Sequence, residues 1–322
     1  MAVSRKALAL AGVAATSLAL VAGPVPANAA NKITIGVSVA DQKSLFYIAA
    51  VDGMRKEAAK EGVNLVVLSA DNNSTQQVNQ VNDLITQQVQ ALIFIAQDAT
   101  SAAAGVKAAN AANIPVIAVD EKPESGNGQL ATYIATDSVK AARNLCTWMF
   151  KQMGNKGEIG ILHGVLGSTA ETERTKGCQQ ALKKTPGIKV VAEATANWDE
   201  TQAYKAAQNM LQGHPKMKAI FGESDAMGLG AAKAARDAKR KIISVGIDGF
   251  PTMVAGIRQG LTQATQAQIP YVMGQMDVKD SVLIVNGKGT SVPKWQWQNT
   301  VLVTKANAKK VNTVNFYGPN VK

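Results

Sequence analysis

GVSVADQKSLFYIAAVDGMRKEA, residues 36–58, shows the organisation of the whole chain in miniature. An apolar run that reads as a buried strand stops at Ser38, a polar loop carries Asp41, Lys43 and Ser44 into the aromatic pair Phe46 and Tyr47, and a helix follows. The same step recurs down the chain, with short β-branched runs each followed by a helical stretch rich in Ala, Gln and Lys. That alternation predicts an α/β fold of parallel sheets with helices on both faces. Strands are expected at 33–39, 64–70, 91–96, 116–120 and 131–135, and again at 158–163, 189–194, 218–223, 242–248 and 261–268.

The two sets keep register. Gly36 to Gly53 spans as far as Gly160 to Gly177, Phe94 to Asp98 as far as Phe221 to Asp225, and Asp120 and Asp248 close equivalent strands. This is duplication at domain scale, and it predicts two doubly wound, Rossmann-like lobes. Gly62 and Gly187 precede equivalent strands and are expected to end helices in left-handed turns. After IATDS (134–138) a helical stretch leads into the second set of strands; after QAQIP (266–270) another could return to the first lobe, and a third crossing is expected near 297–301. The expected lobes are therefore 31–136 with 269–299, and 137–268 with 300–322, joined by a multi-strand hinge about which they can close.

Residues 1–29 have Arg5 and Lys6, an apolar stretch from Ala7 to Val21, and Ala27-Asn28-Ala29, the order of a cleaved secretory signal. The mature protein is thus expected outside the cytoplasm, in a periplasm, without a lipid anchor because no Cys lies near the cleavage site. The chain's formal net charge is +11, or +9 without the leader, but its Lys residues are dispersed over helix faces and tail with no aromatic interleaving. That pattern reads as solubility charge and argues against nucleic acid as a partner. Cys146 and Cys178 are the only cysteines; export permits a disulfide, and their context fits a bridge or a pair of buried thiols equally well. No metal or cofactor is expected, since no zinc spacing, Walker loop or complete dinucleotide fingerprint occurs.

Ligands of open parallel sheets bind beyond the carboxyl ends of the strands. The residues expected there are Ser38, Asp41, Lys43, Phe46, Tyr47, Asp120 and Glu121 in the first half, and Glu171, Arg174, Trp198, Ser224, Asp225 and Asp248 in the second, with Gln268 at a crossing. Carboxylates, a planar Arg, amides and aromatic rings together suit a neutral polyhydroxylated solute, whose hydroxyls both donate and accept and whose C–H faces stack on rings. Asp225 is expected to cap the helix beginning at Ala226 rather than to touch ligand. GESDA (222–226) places Ser224 at a strand-to-helix turn like a nucleophile elbow, yet ends in Ala where the motif has Gly, and only His163 and His214 could serve as base. A hydrolase is therefore a remote reading, and the chain is not expected to be an enzyme.

Nearly all of the chain beyond the leader resembles the type I periplasmic binding proteins of sugar ABC transporters, in their ribose-binding cluster, through GVSV, DGMRKEA, EGVNLVVL, IPVIAVD, STAETERTKGCQQAL, AIFGESDAMGLGA, VGIDGFP and ATQAQIP, in that order. The resemblance implies that Phe46 and Tyr47 are the aromatic pair of the cleft, Asp120 and Asp248 carboxylates for sugar hydroxyls, Arg174 a bidentate donor, Trp198 the second-lobe aromatic, Ser224 a polar contact and Gln268 the hinge amide. Two departures stand out: Glu121 occupies the place of an Arg, and Lys43 sits in the loop where the family has Asn-Asn-Pro. Lys43 is expected to supply the first-lobe positive donor instead. The implied function is capture of a monosaccharide or sugar alcohol for a membrane ABC permease by a monomer. The alternatives are a sugar-responsive regulator, which would begin with a helix-turn-helix where this chain has an export signal, and a chemoreceptor-coupled binder.

Overall fold

A computed structural model describes residues 1–2, 32–124 and 128–321, so all but the first two residues of the expected leader lie outside the described residues. From Lys32 onward strand and helix alternate: β1 (Thr34–Val39), α1 (Leu45–Glu61), β2 (Asn64–Ser69), α2 (Ser74–Thr86), β3 (Ala91–Ile95), α3 (Ala99–Ala111), β4 (Val116–Val119) and β5 (Thr132–Thr136). A crossover helix, α4 (Ser138–Gln152), leads to the second series: β6 (Gly157–His163), α5 (Thr169–Lys183), β7 (Ile188–Thr195), α6 (Glu200–Gly213), β8 (Met217–Gly222), α7 (Asp225–Asp237), β9 (Ile243–Asp248), α8 (Pro251–Gln259) and β10 (Ala264–Ala267). α9 (Pro270–Val285), β11 (Trp295–Gln298), β12 (Val301–Thr304) and the short α10 (Val314–Tyr317) complete the chain. β10 is shorter than the expected 261–268, because Gly260 ends α8 with φ 83° and the next residues form a turn.

The two sheets wind identically, in the orders β11-β5-β4-β3-β1-β2 and β12-β10-β9-β8-β6-β7. Pairings are parallel except that of β10 with β12, which is antiparallel. Parallel strands covered on both faces must be apolar throughout, and β3 and β4 are buried at every position. In each sheet the winding reverses beside the first strand of the series, so the carboxyl ends of β1 and β3, and of β6 and β8, flank a crevice suited to a ligand.

The crossings exchange helices between the sheets. α4 follows β5 of the first sheet but packs on α5 of the second, whereas α9 follows β10 of the second but packs on α1 of the first. The repeat-related glycines make both contacts possible: a Cβ on Gly53 would lie 1.9 Å from the Tyr271 carbonyl oxygen on α9, and one on Gly177 would lie 2.3 Å from that of Val139 on α4. Gly62 ends α1 in the left-handed region, as its position predicts. Gly187 does not adopt that conformation; its requirement is space, because a Cβ there would meet the Asn155 carbonyl oxygen at 2.5 Å.

Cys146 and Cys178 form a disulfide that ties α4 to α5, resolving the alternative left open by the sequence. The tail beyond β12 runs against α8, α9 and α1. Arg258 on α8 donates to the carbonyl oxygens of Ala308 and Val311, while the buried Tyr317 lays its ring edge-on to Phe250 and donates its hydroxyl to the Asp248 carbonyl oxygen at 2.9 Å.

The bridge closes a loop with a sequence separation of 32. Replacing both cysteines with Ser should lower unfolding stability by about 3–4 kcal/mol, on the loop-entropy account, read as an earlier denaturation midpoint. An unchanged midpoint would contradict the loop-entropy account for this bridge.

Candidate ligand-binding site

Strand ends from both sheets converge on one cavity of about 750 Å³. Of the predicted contacts, Lys43, Phe46, Tyr47, Asp120, Glu121, Arg174, Trp198, Ser224, Asp248 and Gln268 line it; Asp41, placed at the strand ends beside them, does so too. Ser38 does not line it. It lies one residue before the end of β1, paired with Leu68 and Phe94, and its hydroxyl is wholly buried without a partner among the described residues. Glu171 and Asp225 do not line the cavity either.

The first-lobe wall begins with the loop after β1. Asp41 accepts the backbone N–H groups of Lys43 and Ser44, at 2.6 and 2.8 Å, and so shapes the turn that brings Phe46 and Tyr47 to the start of α1. The two rings meet edge to face at 5.6 Å; Phe46 is buried and Tyr47 half-buried, with its hydroxyl 3.5 Å from Asp120 Oδ2. Lys43 is exposed at the rim. Asp120 follows β4 with φ 58°, a left-handed conformation uncommon outside glycine that Asp tolerates better than most, and backbone strain of this kind gathers at functional sites.

The second-lobe wall is built around Arg174 on α5, only 4 % exposed. Its Nη1 donates to the Glu223 carbonyl oxygen at 2.5 Å and lies 3.7 Å from Asp248 Oδ1, while the guanidinium sits 5.4 Å from the centre of the Trp198 ring. Its buried Nε has no hydrogen-bond partner among the described residues. Trp198, also left-handed at φ 63°, lies across Gly164 so closely that a Cβ there would be 2.0 Å from the ring. Ser224 is the residue that caps α7, accepting from the Met227 N–H. Asp225 does not cap, as its position had suggested. Its carboxylate instead accepts from the backbone of Gly249 and Phe250 and from the Thr265 hydroxyl, fixing the loop that carries Asp248.

Gln268 joins the two walls. Its Oε1 accepts from the Thr136 hydroxyl at the end of β5, and its Nε2 donates to Asp248 Oδ1 at 2.9 Å, so one amide spans first-sheet and second-sheet chain where α9 departs. The lining also includes residues that the sequence does not single out as contacts, among them Asn72, Gln97, Asp199, Glu200 and Phe250. Gln97 obeys the strand-end rule after β3 and was discoverable by it; Phe250, ahead of Pro251, was not.

Behind Arg174 lies a second polar cluster. His163 Nε2 is 2.9 Å from Glu193, and its Nδ1 faces Thr175, Glu223 and Glu171 at 3.2, 3.3 and 3.5 Å. Hydrogen bonding to Glu223 holds the imidazole up at about 9, against the opposing effect of its burial, with Glu193 contributing. His163, Glu171 and Glu223 are the one group among the described residues with donor spacing near that of a metal site, but their donors and acceptors are matched to one another, and we assign it no ion. Ser224 has no hydrogen bond to His163, so no nucleophile–base pair forms at the GESDA turn.

Burial pushes Asp120 up to about 7, reinforced by the charges of Glu121 and Asp248 and opposed by Arg174. Burial likewise raises Asp248 to about 6, with Arg174 again opposing. Both carboxyls thus hold protons in the folded chain at pH values where the unfolded chain, titrating near 4, has lost them. Stability conferred by that difference is present at low pH and falls as pH rises from about 4 to 7. Asp120→Asn should therefore raise the Tm of the ligand-free protein at pH 8, by roughly 2–6 °C, and flatten part of that pH dependence. A Tm that drops at pH 8 would show that the Asp120 charge is stabilised in place.

A family model described as a periplasmic binding protein domain matches residues 35–289. The chain is 34 % identical to a ribose import binding protein of Escherichia coli, over 82 % of this chain and 88 % of that one. It is 36 % identical to a xylitol-binding protein of Mycolicibacterium smegmatis, over 81 % of this chain and 75 % of the relative. Among solved structures, an ABC transporter solute-binding protein of Mycobacterium smegmatis with bound glycerol superposes with a TM-score of 0.83 at 29 % identity, covering 89 % of this chain and all (100 %) of that one. One from Bacillus halodurans with bound myo-inositol gives 0.82 at 29 %, covering 87 % and 96 %.

Proposed function

The chain belongs to the periplasmic binding protein family, and from that membership we propose that it captures a neutral monosaccharide or sugar alcohol between its lobes and delivers it to a membrane ABC permease. In this reading one lobe comprises 31–136 with 269–299 and the other 137–268 with 300–322. The observation that carries the reading is the convergence of Asp120 from one sheet and Arg174 and Asp248 from the other on a cavity walled by Phe46, Tyr47 and Trp198. Carboxylates accept from hydroxyls, the Arg donates to them, and rings cover C–H faces.

The cavity also argues for neutrality. The chain is basic overall, yet the lining holds Asp41, Asp120, Glu121, Asp199, Glu200 and Asp248 against Lys43 and Arg174. An anionic sugar would meet several carboxylates at low dielectric, where like charges repel strongly. Glycerol, myo-inositol and xylitol, named with relatives of this chain, are all neutral polyols. Lys43 at the rim is placed to offer a first-lobe donor.

Delivery follows from closure. A ligand bridging both walls favours the arrangement in which the lobes meet, and only its differential affinity for the closed state can shift that equilibrium. The protein performs no chemistry on its cargo: Ser224 caps a helix and His163 is engaged with carboxylates. It acts as an exported monomer without a cofactor. Micromolar affinity corresponds to about −8 kcal/mol, within reach of a few charge-assisted hydrogen bonds and stacked rings after ordering costs.

A thermal-shift screen of aldoses and polyols should show a Tm rise for one of these classes. Arg174→Ala and Asp248→Ala should each weaken binding of that compound by about 100-fold or more, each leaving a buried partner unpaired, while circular dichroism stays native. Tight binding retained by both variants would remove the site assignment.

A further inference from the structure

α5 begins in the second lobe, yet its first turn is completed from the first. Every helix N-terminus leaves backbone N–H groups without intrahelical partners. In α5, Ser168 Oγ accepts from the Glu171 N–H, and the Thr172 N–H bonds to the Ser168 carbonyl oxygen. The remaining two, on Thr169 and Ala170, donate to the carboxylate of Glu121, at 2.7 Å to Oε2 and 3.4 Å to Oε1. Glu121 follows β4 of the first sheet, and the next residue adds a third link, from the Lys122 N–H to the Thr169 hydroxyl at 3.2 Å.

We propose that Glu121 is the closure residue of the cleft: it lines the cavity but acts on ligand affinity by docking one lobe onto the helix terminus of the other, rather than by touching the solute. Three observations support this. Both carboxylate oxygens already accept backbone N–H groups, and the side chain is 6 % exposed. The start of α5 is a natural anion site, where partial positive charge and free N–H groups favour a carboxylate, and here the protein supplies that carboxylate itself. The contact spans two sheets, so it exists only when the lobes meet and returns to water when they part.

One consequence follows, resting on the solute-receptor reading above. Because the contact biases closure for every solute alike, its removal should lower all affinities by a common factor and leave their order unchanged.

The test uses the full mature chain with spin labels on cysteines introduced at Lys56 and Lys239, exposed residues of helix α1 in one lobe and of the turn after α7 in the other. In ligand-free protein, Glu121→Ala should reduce the closed fraction relative to wild type. Sodium acetate, which can replace the missing carboxylate at α5, should restore it, and Glu121→Gln without acetate should fall between. In the ligand arm, Glu121→Ala should weaken each compound that stabilises wild type by roughly tenfold, the scale of one or two charge-assisted hydrogen bonds to partly hydrated donors. A variant whose ligand-free closed fraction equals that of wild type, or that acetate does not move, overturns the proposal. So does a variant that reorders ligand preference, which would make Glu121 a direct contact. The ligand-free arm needs no sugar; a wild type that responds to no aldose or polyol would fail the receptor reading while leaving the closure result standing on its own.

Discussion

One buried guanidinium holds the site together. Arg174 lies between the Asp248 carboxylate, the Glu223 carbonyl oxygen and the Trp198 ring, and its charge opposes the upward drift of both Asp120 and Asp248. Burying several carboxylates in one hollow is costly unless a cation and fixed donors accompany them. The protein meets this by recruiting backbone: Asp248 accepts from Asp225 N–H, Asp225 from Gly249 and Phe250, and Glu121 from Thr169 and Ala170. What results is a polar hollow whose acceptors are oriented before a solute arrives, which lowers the ordering cost of binding.

The rest of the architecture serves that convergence. Duplicate windings bring equivalent strand ends, those of β4 and β9, to face each other. The exchanged helices α4 and α9 bind each half to chain that began in the other, and glycines at the contact points let backbones approach where any side chain would collide. Three crossings link the two lobes, the arrangement of a hinge that favours rotation over sliding.

Much of this was legible in one dimension because periodicity and repetition are local signals. Ten strands, the duplicated register and the strand-end carboxylates followed from short apolar runs and what came after them. Choices between neighbours were not legible. Ser224 and Asp225 are both good caps, and only the position of Gly249, Phe250 and Thr265 in space makes Asp225 a brace and leaves the cap to Ser224. Gln97 was hidden behind Asp98, whose cap on α3 is the stronger local signal. Ser38 shows the converse: its place near a strand end suggested contact, but one residue of register keeps it between two neighbouring strands. The engagement of Glu121 depends on a helix 48 residues away and has no sequence signature.

Tyr317 gives the far end of the chain an unexpected reach. Among the described residues none beyond Gln268 lines the hollow, yet the Tyr317 hydroxyl bonds the main chain of Asp248 and its ring packs edge-on against Phe250, a lining residue. Exopeptidase trimming past that tyrosine would loosen the floor of the cavity without removing a single contact residue.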